Sequence, residues 1–251
     1  YNLDNCILTK LKNHYLNGNF QYYLGRDVLN VEIMLKLYDY TNDVDLLNMA
    51  VTSYEEYNKR CPNDLCDKVI LSNKLPYVHG VSFDEYLKLS IMLYKRTNNK
   101  KYLKVALKGH EKIDKHFMLL DGLHASNEFM ISNDVYQSHE TCCVSDYTWN
   151  LYYMYDTLKD PSYLDKVEKC IFNAGLGSIT PDFKALQYFS CVNQVILTET
   201  SNHNSFFKGS KWMQYSPNPG TECCPGNVNR FMPNYIMNMY DIIDDIIVVK
   251  L

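Results

Sequence analysis

Apolar positions along the chain fall at helical spacing and are interrupted at short polar turns that resemble one another. Leu37-Tyr38-Asp39-Tyr40-Thr41-Asn42-Asp43 leads into Leu46-Leu47, and Leu93-Tyr94-Lys95-Arg96-Thr97-Asn98-Asn99 leads into Tyr102-Leu103. A weaker third copy runs Met154-Tyr155-Asp156-Thr157, then Asp160-Pro161-Ser162-Tyr163-Leu164. Each copy joins two helical patterns through a polar turn, so the unit is a helical hairpin recurring about every 60 residues. Several such hairpins bury their apolar faces by closing into a ring or by stacking into an open solenoid. Periodicity does not separate the two.

Two stretches break the rhythm. Residues 121–139 are polar and read as a long loop between hairpins, and residues 173–224 carry glycines and prolines with short β-prone pieces such as Val192 to Thr198. Ile246-Ile247-Val248-Val249 reads as a β-strand. The domain reading is therefore a helical domain over residues 1–243, partial at its N-terminus, with residues 244–251 as the first strand of a following β-rich domain.

Composition narrows the function classes. The net charge of −4 and the lack of a basic block argue against nucleic acid, whose phosphates call for clustered Lys and Arg. No apolar run approaches the roughly 20 residues of a membrane-spanning helix. Tyrosine is abundant, 22 against 2 Trp, and its helical spacing reads as core packing with a polar tip. There are nine cysteines. A chain of 251 residues needs no disulfide framework, so Cys6, Cys61, Cys66, Cys170 and Cys191 read as ordinary thiols. Free thiols slightly favour a cytoplasmic setting.

The chemistry gathers in two short motifs. In Glu140-Thr141-Cys142, positions i and i+2 share a side in extended chain, just before a helical pattern from Val144 to Tyr155. In Cys223-Cys224-Pro225, a proline opens the helical pattern Val228, Phe231, Met232, Tyr235, Ile236, with a kink expected at Pro233. Both motifs stand at helix N-termini, where the dipole favours thiolate and carboxylate. One carboxylate and three thiolates suit tetrahedral zinc, although this spacing also admits unrelated buried thiols or a disulfide.

Several separated segments carry a family resemblance. Gly220-Thr221-Glu222-Cys223-Cys224-Pro225-Gly226-Asn227 resembles the Cys-Cys-Pro-x-Asn signature of the β-L-arabinofuranosidase family of glycoside hydrolases, and His139-Glu140-Thr141-Cys142 is similar to its Glu-Thr-Cys motif. Asn127-Glu128-Phe129 stands where that family carries its acid/base, and His79-Gly80, before a candidate capping box at Ser82 and Glu85, resembles its sugar-contacting segment. The resemblance implies an all-α fold, an (α/α)6 toroid followed by β-sandwich domains. It implies Zn2+ held by Glu140, Cys142, Cys223 and Cys224, with Cys223 as nucleophile and Glu128 as general acid/base. His79 and Tyr188 become candidate sugar contacts, and the implied partner is an arabinofuranoside-containing oligosaccharide. Glu222 is a rival acid, and His124, His139 and His203 are nearby alternatives. Two other readings stay open: a non-catalytic zinc-stabilised carbohydrate-binding scaffold, and a sugar epimerase or isomerase on the same helical ring.

Overall fold

The computed structural model describes residues 28–194, 212–218 and 223–251. Eight α-helices dominate the described residues: α1 (Asn30–Thr41), α2 (Val44–Arg60), α3 (Asp67–Leu71), α4 (Gly80–Thr97), α5 (Lys100–His116), α6 (Thr141–Leu158), α7 (Ser162–Lys169) and α8 (Cys223–Met237). A π-helical turn, Cys170–Gly175, extends α7. The strands are two-residue β1 (His139–Glu140) and β2 (Phe189–Ser190), then β3 (Tyr240–Ile243) and β4 (Ile246–Val249).

The three sequence repeats are three hairpins, α1/α2, α4/α5 and α6/α7, each packed as a pair. Their turns share one geometry. Asn42, Asn98 and Lys159 each end a helix in the left-handed region, at φ 54°, 54° and 57°. Their N–H groups donate to carbonyls of Tyr38, Tyr94 and Tyr155 four residues back. The following Asp43, Asn99 and Asp160 side chains accept from the N–H two residues on, at 3.0 Å in every case. In the first two copies Thr41 and Thr97 also bond back to the carbonyls of Leu37 and Leu93. Leu158 takes that place in the third, which is why the third copy is the faintest in the sequence.

Packing then divides the helices into two rows. α1 packs on α4, α4 on α6, and α6 on α8, while α2, α5 and α7 stand behind their hairpin partners. Burial follows the same division. α4 is buried at every position from Gly80 to Leu93 except Glu85, and α6 at nearly every position from Thr141 to Tyr152. By contrast, α5 buries one stripe, Tyr102, Val105, Ala106, Gly109, His110 and Ile113, together with Lys112, and turns its other lysines outward. An inner row of helices enclosed by an outer row is the wall of an α/α toroid, the ring alternative left open by periodicity.

Tyrosines serve the core largely as their spacing suggests. Tyr54, Tyr57, Tyr86 and Tyr147 are fully buried. The hydroxyls of Tyr54 and Tyr86 both donate to Asp67 Oδ1 at 2.7 Å, which ties α2, α3 and α4 together. Two expectations need correction. Cys61 and Cys66 are not free thiols; they form a disulfide across a turn in which Cys61, Asn63 and Asp64 all have positive φ. The N-cap of α4 is not Ser82 but His79, whose Nδ1 accepts the Ser82 N–H, so the proposed Ser82/Glu85 box does not form. The strand expected at 246–249 is present as β4, and it pairs antiparallel with β3, through the left-handed pair Asp244–Asp245, to make a hairpin exposed along most of its length. α8 continues past Pro233 to Met237.

The hairpin turns give a direct test. At φ 54° alanine carries the left-handed penalty that glycine avoids. Asn98→Ala should lower unfolding free energy by about 1 kcal/mol, with Asn98→Gly within about 0.5 kcal/mol of the parent. Urea denaturation of the three proteins side by side checks this ordering.

Candidate active site and metal centre

Three helix N-termini meet at one place. Glu140 is the N-cap of α6 and Cys142 its second residue, while Cys223 and Cys224 open α8 as described. His79 caps α4. The chain brings Tyr188 to the same point through the β1–β2 pairing, in which His139 faces Ser190 and Glu140 faces Phe189. Thr141 fastens this join: its N–H donates to the Tyr188 carbonyl at 2.9 Å and its hydroxyl to the Gln187 carbonyl at 2.7 Å. Trp212 packs edge-on against the Tyr188 ring with centroids 4.1 Å apart.

The four residues expected to bind metal come together. Each of Glu140, Cys142, Cys223 and Cys224 offers a ligand atom, and all four atoms lie within 4.8 Å of one another. The sulfurs of Cys142 and Cys224 are 3.2 Å apart, and Cys224 Sγ is 3.9 Å from Glu140 Oε1. Cys142 and Cys224 are buried and Cys223 is exposed, so one sulfur of the set faces outward. Glu140 Oε2 is buried with no hydrogen-bond partner. Contacts with the Cys223 and Cys224 thiols, then burial, push the Cys142 thiol far up, and burial does the same to Cys224. A crowded set of soft donors with an orphaned buried carboxylate oxygen fits a metal cation and is costly without positive charge.

Beside this set stands Glu128. Its backbone is left-handed, at φ 67°, a conformation uncommon outside glycine that is found at functional sites. Two donors hold it there: the Gly80 N–H at 2.8 Å and the Ser126 hydroxyl at 3.0 Å both reach the Glu128 carbonyl. Gly80 permits this approach, since a Cβ there would lie 2.2 Å from Ser126 Oγ. The carboxylate is held as well. Tyr188 donates its hydroxyl to Glu128 Oε1 at 2.8 Å, and His79 Nε2 lies 3.4 Å from Glu128 Oε2 and 3.6 Å from Glu140 Oε2. Because His79 Nδ1 accepts from the Ser82 N–H, its ring proton is directed to Nε2, between the two carboxylates. The Tyr188 hydroxyl also receives the Cys223 thiol at 3.7 Å. One phenol oxygen therefore touches both Glu128 and Cys223.

His124 and His139 have separate partners. His139 Nε2 meets Asp121 Oδ2 at 2.5 Å, and His124 Nε2 meets Asp84 Oδ2 at 2.8 Å. Asp84, His124 and Cys143 form a second fully buried group behind the first turn of α4, with donor atoms within 4.8 Å of one another. Asp84 was not visible in the sequence as a partner, being one acid among several on a helix. Glu222 and His203 lie outside the described residues.

Fold and site together define an α/α-ring protein whose helix N-termini gather three cysteine sulfurs and a carboxylate that could hold a metal, with a separate carboxylate beside them. The comparisons make this particular. The model of the β-L-arabinofuranosidase GH127 catalytic domain matches residues 17–236, and the chain belongs to that family. Among solved structures it is similar to a GH127 β-arabinofuranosidase, at 20% identity and a TM-score of 0.69, over 88% of this chain and 34% of that one. It is also similar to a GH127 β-L-arabinofuranosidase from Geobacillus stearothermophilus T6, at 16% identity and a TM-score of 0.67, over 88% and 39% of the two chains. A GH76 α-1,6-mannanase from Salegentibacter sp. shares the fold more distantly, at 18% identity and a TM-score of 0.51, over 68% of this chain and 46% of that one. No curated protein matches. The chain thus spans 34% and 39% of the length of the first two structures. Among the described residues no helix is long and apolar enough to cross a membrane.

The buried Asp84–His124 pair sets a pH test. Burial lifts the Asp84 carboxyl to about 6, against the pull of His124. Burial disfavours the His124 cation, but the Asp84 carboxylate and its hydrogen bond hold the imidazole above its ordinary value. Both shifts make the folded chain keep protons that the unfolded chain releases, so the pair's contribution to stability falls as pH rises from about 4 through the histidine range. Relative to an Asp84→Asn/His124→Gln variant, the parent should lose unfolding free energy between pH 4 and 7.5. Urea midpoints across that range measure the difference, and parallel curves would show that the pair does not titrate in this way.

Proposed function

We propose that this chain is the catalytic region of a retaining glycoside hydrolase that releases L-arabinofuranose from β-L-arabinofuranosides of plant-type glycans. The observation that carries the proposal is the Tyr188 hydroxyl, which touches Glu128 on one side and Cys223 on the other. A retaining hydrolase needs an acid/base and a nucleophile about 5 Å apart, and groups 2.8 and 3.7 Å from one phenol oxygen lie no more than 6.5 Å from each other, which supports the reading. Glu140, Cys142, Cys223 and Cys224 would hold Zn2+, as their donor set and the orphaned Glu140 oxygen suit. Bound zinc would lower the pKa of Cys223 and keep it as thiolate at neutral pH.

The chain's own groups then carry the reaction. Cys223 sulfur attacks the anomeric carbon as the bond to the leaving oxygen breaks, and Glu128 gives its proton to that oxygen. The ionised Glu128 next takes a proton from water, whose oxygen displaces the sulfur and restores the original configuration. Tyr188 and His79 orient Glu128 throughout; Tyr188 donates to one carboxyl oxygen, and His79 stands against the other. A non-catalytic zinc scaffold is disfavoured by the same geometry, because a strained, doubly held Glu128 beside the sulfurs serves no purpose in it. The epimerase reading needs a histidine acid and base, whereas His124 and His139 are engaged by Asp84 and Asp121.

Two measurements test the roles. Glu128→Gln in the full-length protein should keep its zinc and fold yet lose about 10²–10⁴-fold in rate on substrates with poor leaving groups, and much less on an activated aryl glycoside in its first step. Equal rates on both would remove Glu128 from the role and make Glu222 the next acid to test. Separately, the parent should carry about one zinc per chain by elemental analysis. Cys224→Ala should lower that content and the thermal midpoint together, as expected of a metal that binds only the folded chain. A parent without zinc, or a Cys224→Ala protein with undiminished zinc, would contradict the ligand set.

A further inference from the structure

A cavity of about 510 Å³ lies at the β1–β2 join, where His139 and Ser190 both line it. No member of the proposed metal set lines it, nor does Glu128, His79 or Tyr188. Its size falls within that of small-molecule sites, about 300–1,000 Å³. The wall is fixed before anything binds. Gln187 is held at both ends of its amide: Nε2 donates to the Met213 carbonyl at 2.7 Å, and Oε1 accepts the Ser190 hydroxyl at 2.8 Å. Tyr215 donates its hydroxyl to the Gly177 carbonyl at 2.6 Å, yet the residue stays 48% exposed. Ser216, next in the chain, exchanges two backbone hydrogen bonds with Leu186, which anchors that stretch. A tyrosine pinned by its hydroxyl and left open to solvent offers an aromatic surface that the core does not use.

The hydrogen-bonding capacity left in this wall defines the ligand. The donors of Ser190, Tyr215 and Gln187 are committed within the protein, as are the Cys191 thiol, to the Val135 carbonyl at 3.8 Å, and the Asn173 amide, to the Lys169 carbonyl at 2.7 Å. Acceptors remain. His139 Nε2 meets Asp121 Oδ2, which directs the ring proton to Nε2 and leaves Nδ1 as an acceptor. That Nδ1 and Gln194 Oε1 are both buried with no hydrogen-bond partner among the described residues. The Asp121 carboxylate has further lone pairs, and its side chain is 15% exposed. Among the described residues no lysine or arginine lines the cavity. A wall rich in acceptors and without a cation disfavours an anion and calls for donors. An ammonium has donors, but Asp121 is the one carboxylate in the wall and His139 already engages it, so a desolvated cation would lack a counter-charge of its own. Hydroxyls spaced around a ring meet spaced acceptors singly, and the ring's C–H face matches the open surface of Tyr215. We infer that this cavity is a second sugar site, taking one neutral sugar ring and sharing no lining residue with the proposed catalytic set. It goes beyond the hydrolase reading and does not depend on it.

Binding to the full-length protein tests this without turnover. L-arabinose, D-xylose and D-galactose are titrated in turn and followed by saturation-transfer NMR. At least one should bind with a Kd of about 1–10 mM, as expected of a few hydrogen bonds and one ring face. Tyr215→Ala and Asp121→Asn should each weaken that binding about tenfold, and Tyr215→Phe, which keeps the ring, should stay within about threefold of the parent. Tyr215 is exposed, so its variants keep the fold if the Asp121 variant does not. Hydrolysis of an aryl β-L-arabinofuranoside should change less than about twofold in Tyr215→Ala, because the two sites share no residue. If the parent hydrolyses nothing while the binding and its losses appear as stated, the hydrolase reading fails and the sugar site stands. Three results overturn the site: no binding of any of the three sugars, binding that neither Tyr215→Ala nor Asp121→Asn alters, or tighter binding of putrescine or D-galacturonate than of the neutral sugars.

Discussion

Two sulfurs held 3.2 Å apart beside a buried carboxylate are the constraint on which the mouth of this ring depends. Such a cluster cannot ionise unaided, since each anion raises the cost of the next and burial removes the water that would screen them. The fold answers with direction rather than with cationic side chains. Two helix N-termini carry the sulfurs and Glu140, and a third, that of α4, starts beside them at His79, so backbone dipoles point their positive ends at the group. A metal cation held by this set would complete the balance that the dipoles begin. The two-row packing is what lets three helices that are distant in sequence start at one level.

Rigidity around the site has a similar origin. Glu128 sits in a backbone conformation that would relax if left alone, and it is kept by the Gly80 N–H and the Ser126 hydroxyl at its carbonyl and by Tyr188 at its carboxylate. Each of those partners is fixed elsewhere: Gly80 by the start of α4, Tyr188 by Thr141 and Trp212. Strain at the candidate acid/base is thus balanced by elements already committed to the core.

Much of this was legible in the sequence, unevenly. The hairpins showed because their turns repeat a residue pattern, Thr-Asn followed by Asp or Asn, that the left-handed cap and the next N-cap both require. Their closure into a ring did not show, because contacts such as α1 on α4 and α4 on α6 join helices that are not consecutive and leave no period. Glu140, Cys142, Cys223 and Cys224 could be placed at helix starts by local pattern, but their pairing across 80 residues needed the family resemblance. Asp84, opposite His124, was hidden among the acids of α4. The His79 cap was missed because an imidazole is an uncommon cap and Ser82 is a better one by rule. Cys61 and Cys66 were read as thiols because disulfides were weighed as a whole framework, and the left-handed residues that fold the intervening turn carry no mark in the sequence.

The Cys61–Cys66 bridge has a consequence for how the protein is made. During maturation Cys61 and Cys66 must lose two protons and two electrons to an oxidant, while Cys142 and Cys224, whose sulfurs are 3.2 Å apart, must stay reduced. A biosynthetic route that delivers oxidant before the other set is occupied traps the chain with the wrong bond, at the very residues that would form the metal set. If that set holds a metal as proposed, the order of metal loading and oxidation would decide which bond forms there.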